Sequence, residues 1–276
     1  MRSSSTEAAG MPRKDFERIR ALIYRECGIA LGDEKIPLLV NRISKRQRAL
    51  GLASQQDYLR IIEEERDPEE FIQFIDVIST NTTYFFREPD HFEFFSARLK
   101  EWPAAEPEIR LWCAASSSGE EPYSLAITAA EALGRRRIKL RMLATDICTK
   151  VLKRAAEGRY TEKQVENVPR YLLNRYFAKE KNGGAVHYRV LPRLRELVLF
   201  KRLNLSKFPY PLKGPFDFIF CRNVMIYFDA PLREKVVQAF YRLLRPGGYL
   251  FIGHSENLLG LKHRFRGMRA SVFQKP

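Results

Sequence analysis

The sequence predicts an α/β fold in which a small all-helical domain precedes a parallel sheet wrapped by helices. Apolar residues recur at helical spacing over residues 13–80, where no candidate strand is found. From about residue 108, short apolar runs alternate with helical segments, which is typical of a parallel sheet. We therefore expect a disordered tail at 1–12, a helical N-terminal domain at 13–80, a linker and helix at 81–107, and an α/β domain at 108–276.

Four short helices are predicted in the N-terminal domain. Apolar residues lie three and four positions apart along each of them, as Phe16 and Ile19 do in the first. The second helix ends at Gly51, and Ser54 is a suitable N-cap for the third. Pro68 suits the first turn of the fourth, where its missing N–H is not needed. Together the four helices form a small bundle.

The α/β domain is predicted to contain helices at 122–133, 150–157 and 232–244, and strands at 109–114, 140–145, 217–221, 248–253 and 271–274. Residues 160–205 do not follow this alternation of strand and helix. This stretch contains Gly183-Gly184 and two candidate strands, at 186–191 and 197–203. We therefore predict a small antiparallel insertion at about 180–203.

The charge of the chain is distributed unevenly. Forty-eight Lys and Arg residues against 33 Asp and Glu residues give a net charge of +15. Residues 1–80 contain 13 basic and 14 acidic residues, a net charge of −1, so the rest of the chain has +16. A surplus of this size indicates an anionic partner, which could be nucleic acid, an anionic membrane surface or an acidic protein.

Other features of the composition favour a soluble protein of the reducing cytoplasm. Cys27, Cys113, Cys148 and Cys221 have no CxxC spacing, which disfavours a zinc site or a disulfide framework. No run approaches the ~20 apolar residues that a membrane span needs. Met1–Gly10 has no apolar centre, so we do not interpret it as a signal peptide.

The loops that follow the first two predicted strands indicate a nucleotide-like ligand. In an open α/β sheet, ligands bind beyond the carboxyl ends of the strands. The first loop, AASSSGEEP at 114–122, consists mostly of small residues that allow close approach of a ligand. Asp146 follows the second strand, where an acidic side chain can accept two hydrogen bonds from a ribose diol.

The first of these loops lacks the features of a phosphate site. It has one glycine rather than G-x-G-x-x-G, no G-x-x-x-x-G-K-[ST] occurs in the chain, and Glu120 and Glu121 would repel a pyrophosphate. A ligand with a ribose, a cationic head and no phosphate fits better, and S-adenosylmethionine is such a ligand. Glu121 could pair with its ammonium group or bind its ribose. The alternative is that both glutamates merely start a helix, where acidic side chains favour the helix dipole.

Two further stretches place polar side chains among apolar ones. They are NTTYFFRE at 81–88 and FCRNVMIYF at 220–228. Arg87, Arg222 and Asn223 need partners if they lie beside a buried strand, because an unpaired buried polar group is costly. A bound ligand is one way to supply those partners.

Four stretches of the chain resemble the CheR-type chemotaxis receptor methyltransferases, which are S-adenosylmethionine-dependent protein-glutamate O-methyltransferases. These are NTTYFFRE (81–88), WCAASSSGEEPYSLAI (112–127), FDFIFCRNVMIYFD (216–229) and LLRPGGYLFIGHSENL (243–258). The resemblance implies that 108–276 is a Rossmann-like class I methyltransferase domain with an inserted antiparallel β-subdomain.

The resemblance also implies a function and a partner. The methyl group of S-adenosylmethionine would be transferred to glutamate side chains in the cytoplasmic methylation region of a chemoreceptor, which leaves S-adenosylhomocysteine. The enzyme would be cytoplasmic and monomeric, with no membrane insertion and no nucleic-acid partner. A glutamate carboxylate is already ionised at neutral pH, so the reaction needs no general base, and we interpret His254 as a structural loop residue.

Site residues are implied by the same motifs. Arg87 and Tyr227 would lie nearest the transferred methyl group and are the catalytic candidates, and no metal ligand is expected. Asn204 and Leu205 would border the adenine. The full set implied to bind the cofactor is Asn81, Thr83, Arg87, Glu121, Asp146, Asn204, Leu205, Arg222 and Asn223.

The second N-terminal helix has a basic face. Arg42, Lys45 and Arg48 project from the side opposite the apolar residues Ile36 and Leu39. A solvated helix face is the ordinary interpretation of such a pattern. The resemblance supports the alternative that these three residues bind the substrate, because receptor methylation regions are helical and acidic.

Two other functions stay open on the sequence. The charge of +15 prompts a nucleic-acid methyltransferase. Enzymes that methylate exocyclic amines commonly have [ND]-P-P-[YF] after the fourth strand, where this chain has Cys221-Arg222-Asn223-Val224. The other alternative is a regulatory module that binds S-adenosylmethionine without turnover.

Overall fold

The computed structural model describes residues 11–64, 68–78, 82–103, 105–106, 108–182 and 184–276. Its helices are α1 Arg13–Cys27, α2 Ile36–Ala49, α3 Gln55–Glu63, α4 Pro68–Ile78, α5 Pro89–Lys100, α6 Glu120–Leu133, α7 Thr149–Glu157, α8 Arg170–Tyr176, α9 Pro192–Arg195 and α10 Ala230–Leu243. Its strands are β1 Glu108–Ala114, β2 Lys139–Asp146, β3 Arg159–Thr161, β4 Phe177–Asn182, β5 Ala185–Val190, β6 Val198–Arg202, β7 Phe216–Cys221, β8 Leu244–Ile252, β9 Arg266–Arg269 and β10 Val272–Gln274.

Helices α1–α4 form the predicted N-terminal bundle around a core of its own, which includes Phe16, Tyr58 and Phe74. The predicted cap of α3 is present, since the Ser54 hydroxyl accepts a hydrogen bond from the Asp57 N–H at 3.1 Å. Of the predicted tail at 1–12, residues 1–10 lie outside the described residues. The prediction of a disordered tail is wrong for Met11, because this residue is buried in the bundle core.

The α/β domain is built on a seven-stranded sheet in the order β6-β2-β1-β7-β8-β10-β9. Strand β1 pairs in parallel with β2 and with β7, and β7 pairs in parallel with β8. Only β10 among the strands of this sheet is antiparallel to both of its neighbours. Large apolar clusters cover both faces of the sheet, so the prediction of a parallel sheet wrapped by helices is confirmed.

The inserted antiparallel sheet exists, but the structure differs from its predicted bounds of about 180–203. It has three strands in the order β3-β5-β4 and spans residues 159–190. The candidate strand at 197–203 corresponds to β6, which pairs in parallel with β2 in the main sheet. A parallel pair needs a long crossover connection, and α7, the small sheet and α9 together provide it. Strand β6 is therefore the end of the crossover rather than part of the insertion.

The end of α1 brings the N-terminal domain against the α/β domain. The Asn204 side-chain amide donates to the Glu26 carbonyl oxygen at 2.6 Å, and the Ala30 N–H donates to the Tyr227 carbonyl oxygen at 2.8 Å. Between them, Gly28 has φ +71°, and a Cβ at this position would collide with the first turn of α10. A glycine is therefore needed for this close approach.

A second interdomain contact fixes the start of α7. The Asp76 carboxylate on α4 accepts hydrogen bonds from the backbone N–H groups of Thr149 and Lys150 at 2.9 and 3.0 Å. An acidic group at a helix N-terminus satisfies unpaired N–H donors and complements the helix dipole. The two contacts together fix the orientation of the N-terminal domain across the carboxyl edge of the sheet.

Candidate active site

A cavity lies between the two domains at the carboxyl ends of β1, β2 and β7. Its empty space, including the part open to solvent, is about 860 Å³. Cys27 and Ile29 at the end of α1 form part of its wall, opposite the sheet. Ligands of open α/β sheets bind at this edge, so the cavity is the candidate site.

The structure brings most of the predicted site residues together at this cavity. Asn81 lies outside the described residues. Arg42, Lys45 and Arg48 are on α2, away from the cavity wall. The predicted residues that line the cavity are Thr83, Arg87, Glu121, Asp146, Asn204, Leu205, Arg222, Asn223 and Tyr227.

The two glutamates at the start of α6 have different environments. Glu120 is buried, and its carboxylate accepts hydrogen bonds from Ser118 at 2.7 Å and Gln164 at 3.3 Å, outside the cavity. Glu121 lines the cavity and accepts a hydrogen bond from Arg222 Nη1 at 2.9 Å. Burial raises the pKa of Glu121, and the nearby Arg222 charge opposes this only in part. Both glutamates lie in the first turn of α6, and Glu121 also faces the cavity.

Asp146 at the end of β2 is fixed by backbone donors. Its carboxylate oxygens accept hydrogen bonds from the Ser117 N–H at 2.8 Å and the Cys148 N–H at 2.9 Å. Burial raises the pKa of Asp146, while these N–H groups act in the opposite direction. Each oxygen still has a lone pair for another donor, so the carboxylate is oriented and able to bind a hydroxyl group of a ligand.

The Arg222 side chain is buried in the cavity wall and binds two carboxylates. Its guanidinium donates to Glu121 and, at 3.0 Å, to Glu88, and it also donates to the Arg87 carbonyl oxygen. The Asn223 amide donates to the other Glu88 oxygen at 3.0 Å. The sequence interpretation missed Glu88. A usable signal existed, since a buried arginine needs more than one acceptor and Glu88 adjoins Arg87 in the same polar stretch.

Glu256 was also missed, and it organises the loop that follows β7. Its buried carboxylate accepts hydrogen bonds from five backbone N–H groups, those of Gly253, Asn223, Val224, Met225 and Ile226. Burial raises the pKa of Glu256, and the N–H groups oppose this. This contact network positions Asn223 and Tyr227 against the cavity.

Strained backbone is concentrated at the cavity. In the described part of the chain, the non-glycine residues with left-handed backbone are Phe86, Glu88, Ala115, Ser117 and Asn223. All five lie in the three loops that border the cavity. Such conformations cost about 1–3 kcal/mol each, and they persist where surrounding contacts impose them, as at ligand sites.

The two catalytic candidates both line the cavity, and Arg87 has no acidic partner there. Its Nη1 donates to the Thr82 carbonyl oxygen at 3.1 Å, and its guanidinium lies 5.8 Å from the centre of the Tyr84 ring. No carboxylate among the described residues forms an ion pair with it. Tyr227 lines the cavity and also an adjoining apolar groove beside α2, which Arg42 borders.

One group of described side chains has the composition of a metal site, namely Glu88, His91 and His254. Glu88 already binds the Arg222 guanidinium at 3.0 Å, and this positive charge would repel a metal cation. The two histidines have other partners, since His91 Nε2 lies 2.6 Å from the Ser271 hydroxyl and His254 pairs with Asp90. The group is therefore explained by hydrogen bonding within the protein.

A sheet of this order with one reversed strand, and a ligand cavity at its carboxyl edge, define a Rossmann-like class I methyltransferase. Residues 81–273 match the model of the CheR methyltransferase, SAM binding domain, and residues 14–79 match that of the CheR methyltransferase, all-alpha domain. The chain belongs to the CheR methyltransferase family.

Curated relatives agree with this family over nearly the full chain. Chemotaxis protein methyltransferase 2 of Pseudomonas aeruginosa is 39% identical over 95% of this chain and 92% of its own length. The chemotaxis protein methyltransferase of Escherichia coli is 40% identical over 98% of this chain and 94% of its own. That of Borreliella burgdorferi is 37% identical over 91% of this chain and 90% of its own.

The predicted resemblance is thus confirmed, and the chain is an S-adenosylmethionine-dependent methyltransferase of chemotaxis. Neither alternative, a nucleic-acid methyltransferase or a module without turnover, is favoured by these relatives. Among the residues that the structure describes, no helix combines the length and apolar character needed to cross a membrane.

Proposed function

We propose that the protein transfers the methyl group of S-adenosylmethionine to glutamate side chains in the cytoplasmic methylation region of a chemoreceptor. The products are glutamyl methyl esters and S-adenosylhomocysteine, and the enzyme acts in the cytoplasm as a monomer. One observation supports this most directly. The cavity combines two oriented carboxylates, Glu121 and Asp146, with Arg87, a cation without an acidic partner among the described residues.

The residues present fit the cofactor. Asp146 is oriented to accept the ribose hydroxyls, and Glu121 faces the cavity, where a cationic group would meet it. The described residues that line the cavity include no glycine-rich phosphate loop. Thr83 and Arg87, which line the cavity, would contact the cofactor from the linker side, and Asn81 of the same motif lies outside the described residues. Asn204 and Leu205 would border the adenine, and Arg222 and Asn223, which also line the cavity, would close the pocket. When bound, the cofactor supplies an electrophilic methyl group on a sulfonium.

The remaining task of the protein is to position the incoming carboxylate. That carboxylate is ionised at neutral pH, so no side chain has to remove a proton. Arg87 and Tyr227 hold it at the mouth of the cavity and exclude water from it. A contact that is too strong would stabilise the ground state and slow the attack, so we expect single hydrogen bonds rather than a tight ion pair.

Tyr227→Phe removes one hydrogen bond to the substrate carboxylate and leaves the ring in place. We expect kcat to fall about three- to tenfold, because one hydrogen bond contributes ~0.5–1.5 kcal/mol. Steady-state methyl transfer to a receptor fragment measures this. A wild-type rate would remove Tyr227 from the mechanism.

The basic face of α2 is proposed as the docking surface. Arg42 borders the apolar groove that reaches Tyr227, and Lys45 and Arg48 are exposed farther along the helix. An acidic receptor helix lying along this face would present its glutamate to the mouth of the cavity. Charges of this kind guide association and give it a salt dependence.

The variant Arg42→Gln/Lys45→Gln/Arg48→Gln tests this surface. We expect KM for the receptor to rise about tenfold and its dependence on salt to weaken, with kcat nearly unchanged. The matched control is Arg135→Gln/Arg137→Gln/Lys139→Gln, which removes three exposed basic residues at the opposite, amino end of the sheet. An unchanged salt dependence in the α2 variant would refute docking there.

The function itself is tested by transfer of a radiolabelled methyl group from S-adenosylmethionine to the cytoplasmic fragment of a chemoreceptor from the same organism. Label that mild base releases as methanol identifies a glutamyl methyl ester. Base-stable label on RNA, with none on the receptor, would overturn the proposal. Cofactor binding without transfer to any receptor would overturn it in favour of a regulatory module.

A further inference from the structure

Part of the seven-stranded sheet has an exposed face at its β6 edge. In β2, Leu140 and Met142 belong to the apolar cluster that also includes residues of α6, whereas Arg141, on the opposite face, is exposed. The edge strand β6 follows the same alternation, since Val198 is buried and Leu199 is 57% exposed. One face of these two strands is therefore packed, and the other is largely open to solvent.

A single row of side chains shows where the covering layer ends. Trp112 on β1 lies beside Leu143 on β2, which in turn lies beside Leu199 on β6. Trp112 is fully buried against Phe240 of α10, Leu143 is half-buried and Leu199 is mostly exposed. A helix commonly covers the sheet in a crossover between parallel strands, but the connection from β6 to β7, residues 203–215, contains none. The apolar row thus extends beyond the layer that covers it.

The open face is strongly basic. Six basic and two acidic residues line the groove over it, which gives a net charge of +4. One of the two acidic residues, Glu108, is already paired with Arg141 at 3.0 Å. This charge is part of the surplus of +16 beyond residue 80, which docking of a receptor on α2 does not use. The basic residues of the groove are Arg110, Lys139, Arg141, Lys201, Arg202 and Lys213.

The arrangement of these groups indicates the chemistry of what binds there. Arg141 is two residues before Leu143 on β2, and Lys201 is two residues after Leu199 on β6, so basic side chains border the apolar row on both sides. An amphipathic helix whose apolar stripe is flanked by acidic residues has the complementary pattern. A nucleic acid has phosphates but no aliphatic surface for Leu199, and a flat bilayer does not enter a groove that residues 211–213 border.

We propose that the open face of β2 and β6 is a docking surface for an acidic amphipathic helix of a partner protein. The apolar stripe of that helix covers Leu143 and Leu199, and its acidic flanks lie beside Arg141 and Lys201. None of these four residues lines the cofactor cavity, so the partner helix is distinct from the one that presents the methylated glutamate. The surface therefore goes beyond methyl transfer and does not depend on the proposed substrate.

The test uses a fluorescein-labelled helical peptide of about 18 residues, with leucines on one face and glutamates elsewhere, and measures its binding to the full chain by fluorescence anisotropy. We expect saturable binding that weakens as salt is added. A peptide of the same composition without an apolar face should bind much more weakly. Leu199→Ser should raise the dissociation constant about tenfold, because the protein loses apolar surface that the peptide covers.

The charges are tested by Arg141→Gln/Lys201→Gln. This variant should raise the dissociation constant of the peptide about tenfold and weaken its dependence on salt. Arg141, Lys201 and Leu199 are all exposed, so affinity for S-adenosylmethionine should stay at the wild-type value in both variants, which shows that they are folded.

Two matched variants test whether the position of these residues matters. Leu259→Ser removes a leucine that is 84% exposed outside the groove. Lys262→Gln/Arg264→Gln removes two exposed basic residues from a different surface, which α10 borders. Neither variant should change the affinity for the peptide.

Other results would overturn the inference. Equal binding of both peptides, or wild-type affinity in Leu199→Ser, would leave only nonspecific attraction between charges. Loss of peptide binding in Arg42→Gln/Lys45→Gln/Arg48→Gln, but not in the β2 and β6 variants, would place the site on α2.

The remaining arms concern other occupants of the face. Binding of polyuridylic acid or of phosphatidylglycerol vesicles that depends on Leu199, without binding of the peptide, would assign the face to a different class of partner. A dimer that Leu199→Ser dissociates would assign it to a second copy of this chain. Either result would overturn the proposed acidic helix. An enzyme that binds the peptide at this face but methylates no receptor would support the docking surface and refute only the proposed function.

Discussion

Glu256→Ala is expected to abolish binding of S-adenosylmethionine and to lower the free energy of unfolding by about 4 kcal/mol. The substitution removes the acceptor of five backbone N–H groups in two loops. Each buried donor left unpaired costs about 1–3 kcal/mol, although those that reach water cost less. Asn223 and Tyr227 are on the loop that loses these contacts, so the cavity wall is lost with them.

Urea unfolding measures the loss of stability, and titration calorimetry measures the loss of binding. Glu256→Gln retains one acceptor oxygen and should fall between the wild type and the alanine variant. Glu157→Ala removes an exposed acidic residue at the end of α7 and should change stability by no more than about 0.5 kcal/mol. Wild-type affinity in Glu256→Ala would show that the loop does not depend on this carboxylate.

A second large effect is expected at acid pH, from His91. Its side chain is fully buried, and burial first, with the Arg222 charge second, lowers its pKa to about 4. In the unfolded chain the pKa is about 6.5, so between these values the unfolded state binds more protons than the folded one. The free energy of unfolding therefore falls as pH decreases through this window, by about 3 kcal/mol when pH 4 is reached.

The measurement is urea unfolding at pH 7, 5.5 and 4.5 for wild type and His91→Gln. Carboxylates contribute to the pH dependence of both proteins, so the difference between their free energies of unfolding isolates the contribution of His91. This difference should decrease by about 2 kcal/mol between pH 7 and pH 4.5. Parallel curves for wild type and His91→Gln would contradict the buried neutral state of His91.

The parts of the fold that the sequence predicts are those in which local pattern and tertiary environment agree. Strand β7 is buried at every residue, and its sequence is correspondingly a mostly apolar run. The cap of α3 could be predicted because Ser54 binds the N–H of Asp57, only three residues away. Strand β9 has no such signal, because all four of its residues are exposed at the edge of the sheet. Strand β4 also lacks a strand pattern in the sequence, because charged residues interrupt its apolar ones.

The same distinction holds at the site. Glu121 could be predicted because it lies in the first turn of a helix, and Asp146 because it lies where a strand ends. The local pattern places both positions at the carboxyl edge of the sheet. Glu256 could not, since it accepts hydrogen bonds from residues far along the chain. Glu88 could be singled out only as a polar neighbour of Arg87, without its partner being known. Arg222 is 134 positions from Glu88, and only the folded structure shows that they meet.

The end of α1 forms part of the cavity wall, and this limits how the helical domain can be exchanged between related enzymes during evolution. Because Cys27 and Ile29 complete a site whose other walls come from the sheet, neither half of the gene encodes a whole cofactor pocket. Helix α2, the proposed docking surface, and the sheet that carries the cofactor site are thus inherited as one module. A chimaera that takes its helical half from a related enzyme must also bring a glycine at position 28 and a backbone path that presents the carbonyl oxygen of residue 26 to Asn204. Without both, the cofactor pocket would be incomplete and activity would be lost.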